Sequence, residues 1–242
     1  MSGLRLDEVV VGRGGFRAGP FSLHAPPGSL VALVGPNGGG KTSLLRVLAG
    51  LDAARGGTVE RPPGQPALLP PPGSVEAGFE AEHLVALGRS AGAGLRAGLR
   101  AADLEAARAA LARLGIGRLG PAPFDRLSSG QQQLVLLARL QVQDPALCLL
   151  DEPTATLDPG QAAKVGRALR ALADDGRTVV IATHDVAAAR AADLVLTVGP
   201  VVRAGPPALL TAELLSELYA VEVGLCPCCG QPAAAQMPAY HS

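Results

Sequence analysis

Apolar and polar positions along the chain follow two rhythms. Residues 4–11 and 21–25 hold short apolar stretches broken by glycines, and read as short strands with turns between them. After the turn at Pro26-Pro27-Gly28, Leu30-Val31-Ala32-Leu33-Val34 is apolar without a break, as in a strand buried on both faces. A glycine-rich loop follows. Residues 43–49 then place Leu44, Leu45 and Leu48 at helical spacing, with Gly50 as the stop. Residues 53–74 are rich in proline and glycine and predict short strands at most. Residues 75–120 read as helical. There Asp103 is placed to cap a helix whose Leu104, Leu111 and Leu114 share a face and which Gly115 ends. The glycine-spaced, arginine-studded stretch 89–100 reads as a solvated loop. From Leu127 the pattern predicts a helix over 131–140, a buried strand over 146–150, a helix carrying Val165, Leu169 and Leu172, strands over 178–182 and 194–198, and a last helix near 211–219.

Strands alternating with helices predict an α/β fold with a mostly parallel sheet covered on both faces. The opening strands form an N-terminal antiparallel β subdomain, and residues 75–125 an α-helical subdomain inserted into the core. Residues 1–223 then make one domain, and 224–242 a cysteine-containing tail. The charges cancel, with 21 basic and 21 acidic residues, so no overall positive field points to nucleic acid. No apolar run approaches the roughly 18 residues of a membrane span, and no leader-like segment opens the chain, which predicts a cytosolic protein able to dock on a membrane protein.

The loop after the uninterrupted strand reads Gly35-Pro36-Asn37-Gly38-Gly39-Gly40-Lys41-Thr42-Ser43, the spacing of a phosphate-binding P-loop. Glycines let backbone N–H groups converge on phosphate oxygens without an intervening side chain. Lys41 is then placed for the β and γ phosphates and the Thr42 hydroxyl for Mg²⁺. Lysine occurs only at Lys41 and Lys164, which makes the first conspicuous. Farther on, the buried strand 146–150 runs into Asp151 and Glu152. Asp151 is placed to hold Mg²⁺ through water, and Glu152 to polarise an attacking water.

The stretch Leu127-Ser128-Ser129-Gly130-Gln131 resembles the LSGGQ signature of the ABC ATPases, with Ser129 in place of a glycine. Asp158 matches the D-loop of that family and His184 its switch histidine. The resemblance covers residues 4–223. It implies a P-loop NTPase (RecA-like) core and ATP with Mg²⁺ as cofactors. It also implies a head-to-tail pair of ATPase chains, either two copies or this chain with a paralogue, in which each ATP lies between one chain's P-loop and the other's signature. Ser128 and the amide of Gly130 would there touch the γ-phosphate bound by the partner.

Three positions depart from the family pattern. Residues 11–14 lack the usual adenine-stacking aromatic, leaving Arg13 or Phe16 for that role. Leu68-Leu69-Pro70-Pro71-Pro72 puts Pro71 where the family carries the Q-loop glutamine, so slower hydrolysis is expected rather than none. Ser129 is expected to be tolerated. Residues 82–89 and 201–223 resemble the importer ATPases for iron–siderophore, haem and cobalamin. That resemblance implies a peripheral protein on the cytoplasmic face of the membrane, an integral-membrane permease as partner, and a substrate-binding protein engaged indirectly. A soluble ABC ATPase that moves no substrate, or a weakly hydrolysing regulatory subunit, stands as the alternative. In the tail, Cys226-Pro227-Cys228-Cys229-Gly230 has the form of a zinc knuckle, with Cys226 and Cys229 as candidate Zn²⁺ ligands beside a frayed terminus without function. Cys148 reads as a small apolar core residue.

Overall fold

A computed structural model describes residues 3–12, 15–69, 78–90, 99–225 and 232–234. Its centre is a six-stranded sheet in the order β5-β6-β7-β3-β8-β9. The strands are β3 (Leu30–Val34), β5 (Ala67–Leu69), β6 (Leu147–Asp151), β7 (Thr178–Thr183), β8 (Leu194–Thr197) and β9 (Ala204–Gly205). All neighbours are parallel except β8 and β9. A second, antiparallel sheet joins β1 (Leu4–Val11), β2 (Ala18–Ala25) and β4 (Gly56–Glu60).

The uninterrupted apolar strands serve two cores. Leu30, Ala32 and Val34 of β3 enter one, with Cys148 and Leu150 of β6 and Val179 and Ile181 of β7. Val31 and Leu33 enter the other, with Leu147, Leu149, Val180 and Ala182. Period-two alternation therefore persists, with both faces apolar because both are covered. The second core also takes α1 (Lys41–Leu48), through Leu44, Leu45, Val47 and Leu48, and the antiparallel sheet, through Leu4, Leu6, Val9 and Phe21. The helix that follows the glycine loop is thus held between two sheets.

Between β5 and β6 lies a helical insert of α2 (Ala81–Ala86), α3 (Ala101–Arg113) and α4 (Ser129–Gln143). Glu82 of α2 receives both arms of the Arg108 guanidinium at 2.9 Å, which holds its carboxyl below the usual carboxylate range. Asp103 is not the cap of α3, as its sequence position suggests, but sits inside the first turn. Its carboxylate accepts the N–H of Arg100 at 3.0 Å and pairs with Arg89 at 2.9 Å. Arg89 is therefore tied to the insert rather than free in a loop, while residues 91–98 lie outside the described residues. Helix α4 starts two residues before its apolar periodicity, because the Ser128 hydroxyl accepts the Gln131 N–H at 3.4 Å and Gln131 Oε1 accepts the Ser128 N–H at 3.1 Å.

Gln133 on α4 is 1% exposed, and neither polar atom of its carboxamide has a partner among the described residues. Such a group carries its desolvation cost uncompensated. Gln133→Met, of similar length, is expected to stabilise the fold by about 1 kcal/mol and to raise Tm by roughly 2–4 °C in thermal unfolding. A lowered Tm would show that the amide has a role in the native packing.

Three helices complete the core: α5 (Pro159–Asp174), α6 (Val186–Arg190) and α7 (Ala212–Tyr219). Asp158, Asp185 and Thr211 cap them through N–H groups of Gln161, Ala187 and Leu214. Beyond α7, β10 (Val223–Leu225) pairs antiparallel with β11 (Pro232–Ala234). That pairing was not legible in the tail's sequence. Cys226 and Cys229 lie outside the described residues. Cys148 is fully buried, and burial pushes its thiol up to about 12, in keeping with a core role.

Candidate functional site

Strands β6, β7 and β3 are neighbours, and their carboxyl ends lie level: Asp151 pairs with Ala182, and Val34 with Thr183. The residues just beyond those ends are Glu152, His184 and the loop from Gly35. This is the edge of an open α/β sheet at which ligands bind.

The loop is shaped by contacts that exclude side chains. A Cβ on Gly35 would lie 1.9 Å from the carbonyl oxygen of Val198, and one on Gly39 would lie 2.7 Å from the same oxygen. Gly40 has φ +108°, in the left-handed region, and forms the start of α1 with no side-chain cap. The first N–H groups of α1 are therefore left for a ligand, at the positive end of the helix dipole. Lys41 is buried, 6% exposed, with Nζ donating to the carbonyls of Gly35 at 2.6 Å and Pro36 at 3.2 Å. Burial pulls its ammonium below the ordinary lysine value, against the opposing pull of Glu152 and Asp151. Lys41 Nζ also stands 3.9 Å from Glu152 Oε1.

Two pairs close the site. Thr42 Oγ1 donates to Asp151 Oδ2 at 2.6 Å, joining the loop to the end of β6. Glu152 Oε2 lies 2.9 Å from His184 Nδ1, joining the ends of β6 and β7. Glu152 itself has φ 48°, a left-handed backbone that is uncommon for a side chain of its kind, and its N–H donates to Ala182 O at 2.9 Å. A cavity of about 320 Å³ is lined by Phe16, Asn37, Gly40, Lys41, Thr42 and Glu152 among others. Phe16 is half-exposed, and its ring edge comes within 3.4 Å of where a Cβ on Gly40 would lie. Of the two sequence candidates for adenine stacking, Phe16 thus borders the loop, while Arg13 lies outside the described residues. Pro71 lies outside them as well.

The structure brings together Lys41, Thr42, Asp151, Glu152 and His184. It does not bring Ser128, Ser129, Gly130 or Gln131 to them: these begin α4 in the helical insert, and Asp158 begins α5. None of these five lines the cavity. The residues present fit a nucleoside triphosphate with a hard divalent cation. The glycine cradle leaves room for phosphate, the buried ammonium and uncapped helix start supply positive potential, and a hydroxyl beside a carboxylate is an oxygen donor set suited to Mg²⁺.

Fold and site together define a P-loop nucleoside triphosphatase. The family model for the ABC transporter matches residues 19–155. The hemin import ATP-binding protein HmuV of Rhodococcus jostii (strain RHA1) is 37% identical over 233 residues, covering 89% of this chain and 79% of that protein. HmuV of Streptomyces coelicolor is 39% identical over 239 residues, covering 88% and 84%. A solved structure described as an inward-facing metal-chelate type ABC transporter superposes with a TM-score of 0.83 at 30% identity, over 92% of this chain and 90% of that one. The chain belongs to the ABC transporter family and is an ATP-binding ATPase subunit of it. Members bind ATP with Mg²⁺ and couple its hydrolysis to transport. Import ATPase subunits dimerise and work with membrane permease components. Among the described residues no helix is long and apolar enough to cross a membrane.

Proposed function

We propose that this chain powers uptake of a metal chelate, of the hemin, iron–siderophore or cobalamin type, by ATP-driven closure of a dimer beneath a membrane permease. The observation that carries the reading is the convergence of Lys41, the Thr42–Asp151 pair and the Glu152–His184 pair at the ends of three adjacent strands. Similarity to hemin and metal-chelate systems along most of the chain supports the substrate class. The permease, a second ATPase chain and an external binding protein are the partners, at the cytoplasmic face of the membrane.

Bound ATP supplies the γ-phosphoryl group, and Mg²⁺ neutralises charge on its oxygens. The chain's own residues do the rest. Backbone N–H groups of residues 37–42 and the Lys41 ammonium, swung from the loop carbonyls, hold the phosphates. Thr42, and Asp151 through water, would hold Mg²⁺. Phe16 is placed to stack on the base. Glu152 accepts a proton from the attacking water, and His184 fixes the orientation of its carboxylate. Ser128, Ser129, Gly130 and Gln131 reach the nucleotide of the partner chain, with Asp158 at the same interface.

Pro71 favours a second reading, a weakly hydrolysing regulatory subunit, because it cannot offer the side-chain ligand of a Q-loop glutamine. Steady-state turnover separates the two. Under the importer reading the purified chain hydrolyses ATP with Mg²⁺, and Pro71→Gln speeds it several-fold. No turnover in the parent, with recovery in Pro71→Gln, would establish the regulatory subunit instead. Reconstitution with a metal-chelate permease tests the substrate class: hemin or another metal chelate should accumulate in vesicles only with ATP enclosed in the lumen, on the side of this chain.

A further inference from the structure

Helices α4 and α5 begin side by side, each capped by a short side chain of its own, Ser128 for one and Asp158 for the other. Between the two starts stands the side chain of Gln161. A Cβ built on Gly130 would lie 1.8 Å from Gln161 Oε1, 2.3 Å from its Cδ and 3.1 Å from its Cγ. The Gln161 carboxamide therefore lies flush on the backbone of Gly130, a residue that is itself buried although its neighbour Ser128 is exposed. Gln161 is not free to choose this place. Its own N–H donates to Asp158 Oδ1 at 2.9 Å, so the aspartate that caps α5 fixes the residue that touches α4. No hydrogen bond joins Gln161 to Gly130 among the described residues, so the contact is one of shape. It adds an intrachain reason for a glycine at position 130, besides close approach to phosphate.

We infer that Gln161 is a positioning residue, a spacer that holds the signature residues 128–130 at a fixed distance from Asp158 so that both helix starts enter the partner's site as one unit. The insert carries α4 and the core carries α5, so an insert that swings without this spacer would present Ser128 and Asp158 out of register. The inference rests on the proposed reading that the signature of one chain meets the ATP of its partner. It does not involve the phosphate loop of the same chain, which lies at the end of β3.

The test uses the full-length chain and three variants. Gln161→Ala removes the spacer, and Gln161→Met keeps its length without its amide. Glu152→Gln slows hydrolysis so that ATP-bound dimers accumulate for size-exclusion analysis. A misplaced reacting group costs up to about 100-fold in rate. Gln161→Ala is therefore expected to lower kcat about tenfold or more, to leave the monomer's affinity for ATP unchanged, and to reduce the ATP-trapped dimer when combined with Glu152→Gln. Gln161→Met is expected to restore most of both. Wild-type kcat and trapped dimer in Gln161→Ala would overturn the inference, as would a Gln161→Met variant as impaired as Gln161→Ala. Absence of any ATP-dependent dimer in Glu152→Gln alone would instead overturn the reading on which it rests.

Discussion

Glu152→Gln is expected to keep ATP bound and all but stop its hydrolysis. The substitution is close to isosteric, and Gln keeps an oxygen or an amide within reach of His184 Nδ1, now 2.9 Å from the carboxylate. It also asks nothing new of the backbone: the left-handed φ of 48° is as accessible to Gln as to Glu. What it removes is the proton acceptor. A positioned general base contributes about 10²- to 10⁴-fold in rate, so kcat should fall by at least about 100-fold. Binding should survive, since Lys41, the uncapped start of α1 and the Thr42–Asp151 pair are untouched. Removing the carboxylate also frees Lys41 from an anion 3.9 Å away, which favours phosphate as its partner. Turnover and equilibrium binding of ATP by the same preparation check both halves. Hydrolysis within a few-fold of the parent would show that Glu152 is not the base.

Gly35→Ala acts on the other half of the site and on the fold together. The new methyl would meet the carbonyl oxygen of Val198 at 1.9 Å and its carbon at 2.9 Å. These are backbone atoms, and they are pinned, because the Val198 N–H donates to Val34 O at 2.7 Å in the sheet. No side-chain rotation relieves the clash. The loop has to lift from the end of β8, taking with it the carbonyl of Gly35 that Lys41 holds at 2.6 Å. Overpacking of this kind costs roughly 1–3 kcal/mol, or about 2–12 °C in Tm by the scaling for chains of 150–250 residues. ATP affinity should fall at least about tenfold, which corresponds to 1.4 kcal/mol. Thermal unfolding and a binding isotherm read the two effects separately. A variant with parental Tm and affinity would mean that the loop sits farther from β8 than these distances state.

Much of this was legible from residue order alone, for physical reasons that differ by region. The strand Leu30-Val31-Ala32-Leu33-Val34 declares itself because both of its faces are covered, and the glycine loop because only glycine permits the approach of backbone to backbone seen at Gly35. The acids at the end of β6 and the histidine after β7 could be paired with that loop through a family pattern, but not through spacing, since their meeting depends on β6, β7 and β3 being neighbours in the sheet. Helix α4 was shortened in sequence because its first residues, Ser129 and Gly130, carry no apolar signal, and the cap that starts it is a hydroxyl. Asp103 was misplaced because an acid inside a first turn and an acid just before it look alike without the backbone. Gln161 left no trace at all. Its significance is a contact across two helix starts, and nothing in its neighbours along the chain points to Gly130.

The sharing of β3, β6 and β7 between two cores bears on how damage spreads. Each of these strands has one set of side chains on either side of the sheet, and each ends in a loop of the site. The loops are therefore mounted like the rim of a drumhead gripped from both sides. A loosened Phe21 in the antiparallel sheet and a loosened Leu172 on α5 pull on opposite faces of the same membrane of backbone, and both are felt at its edge. Inactivating lesions in this protein need not cluster around the nucleotide. Substitutions that thin either face should surface as lost turnover before they surface as lost protein.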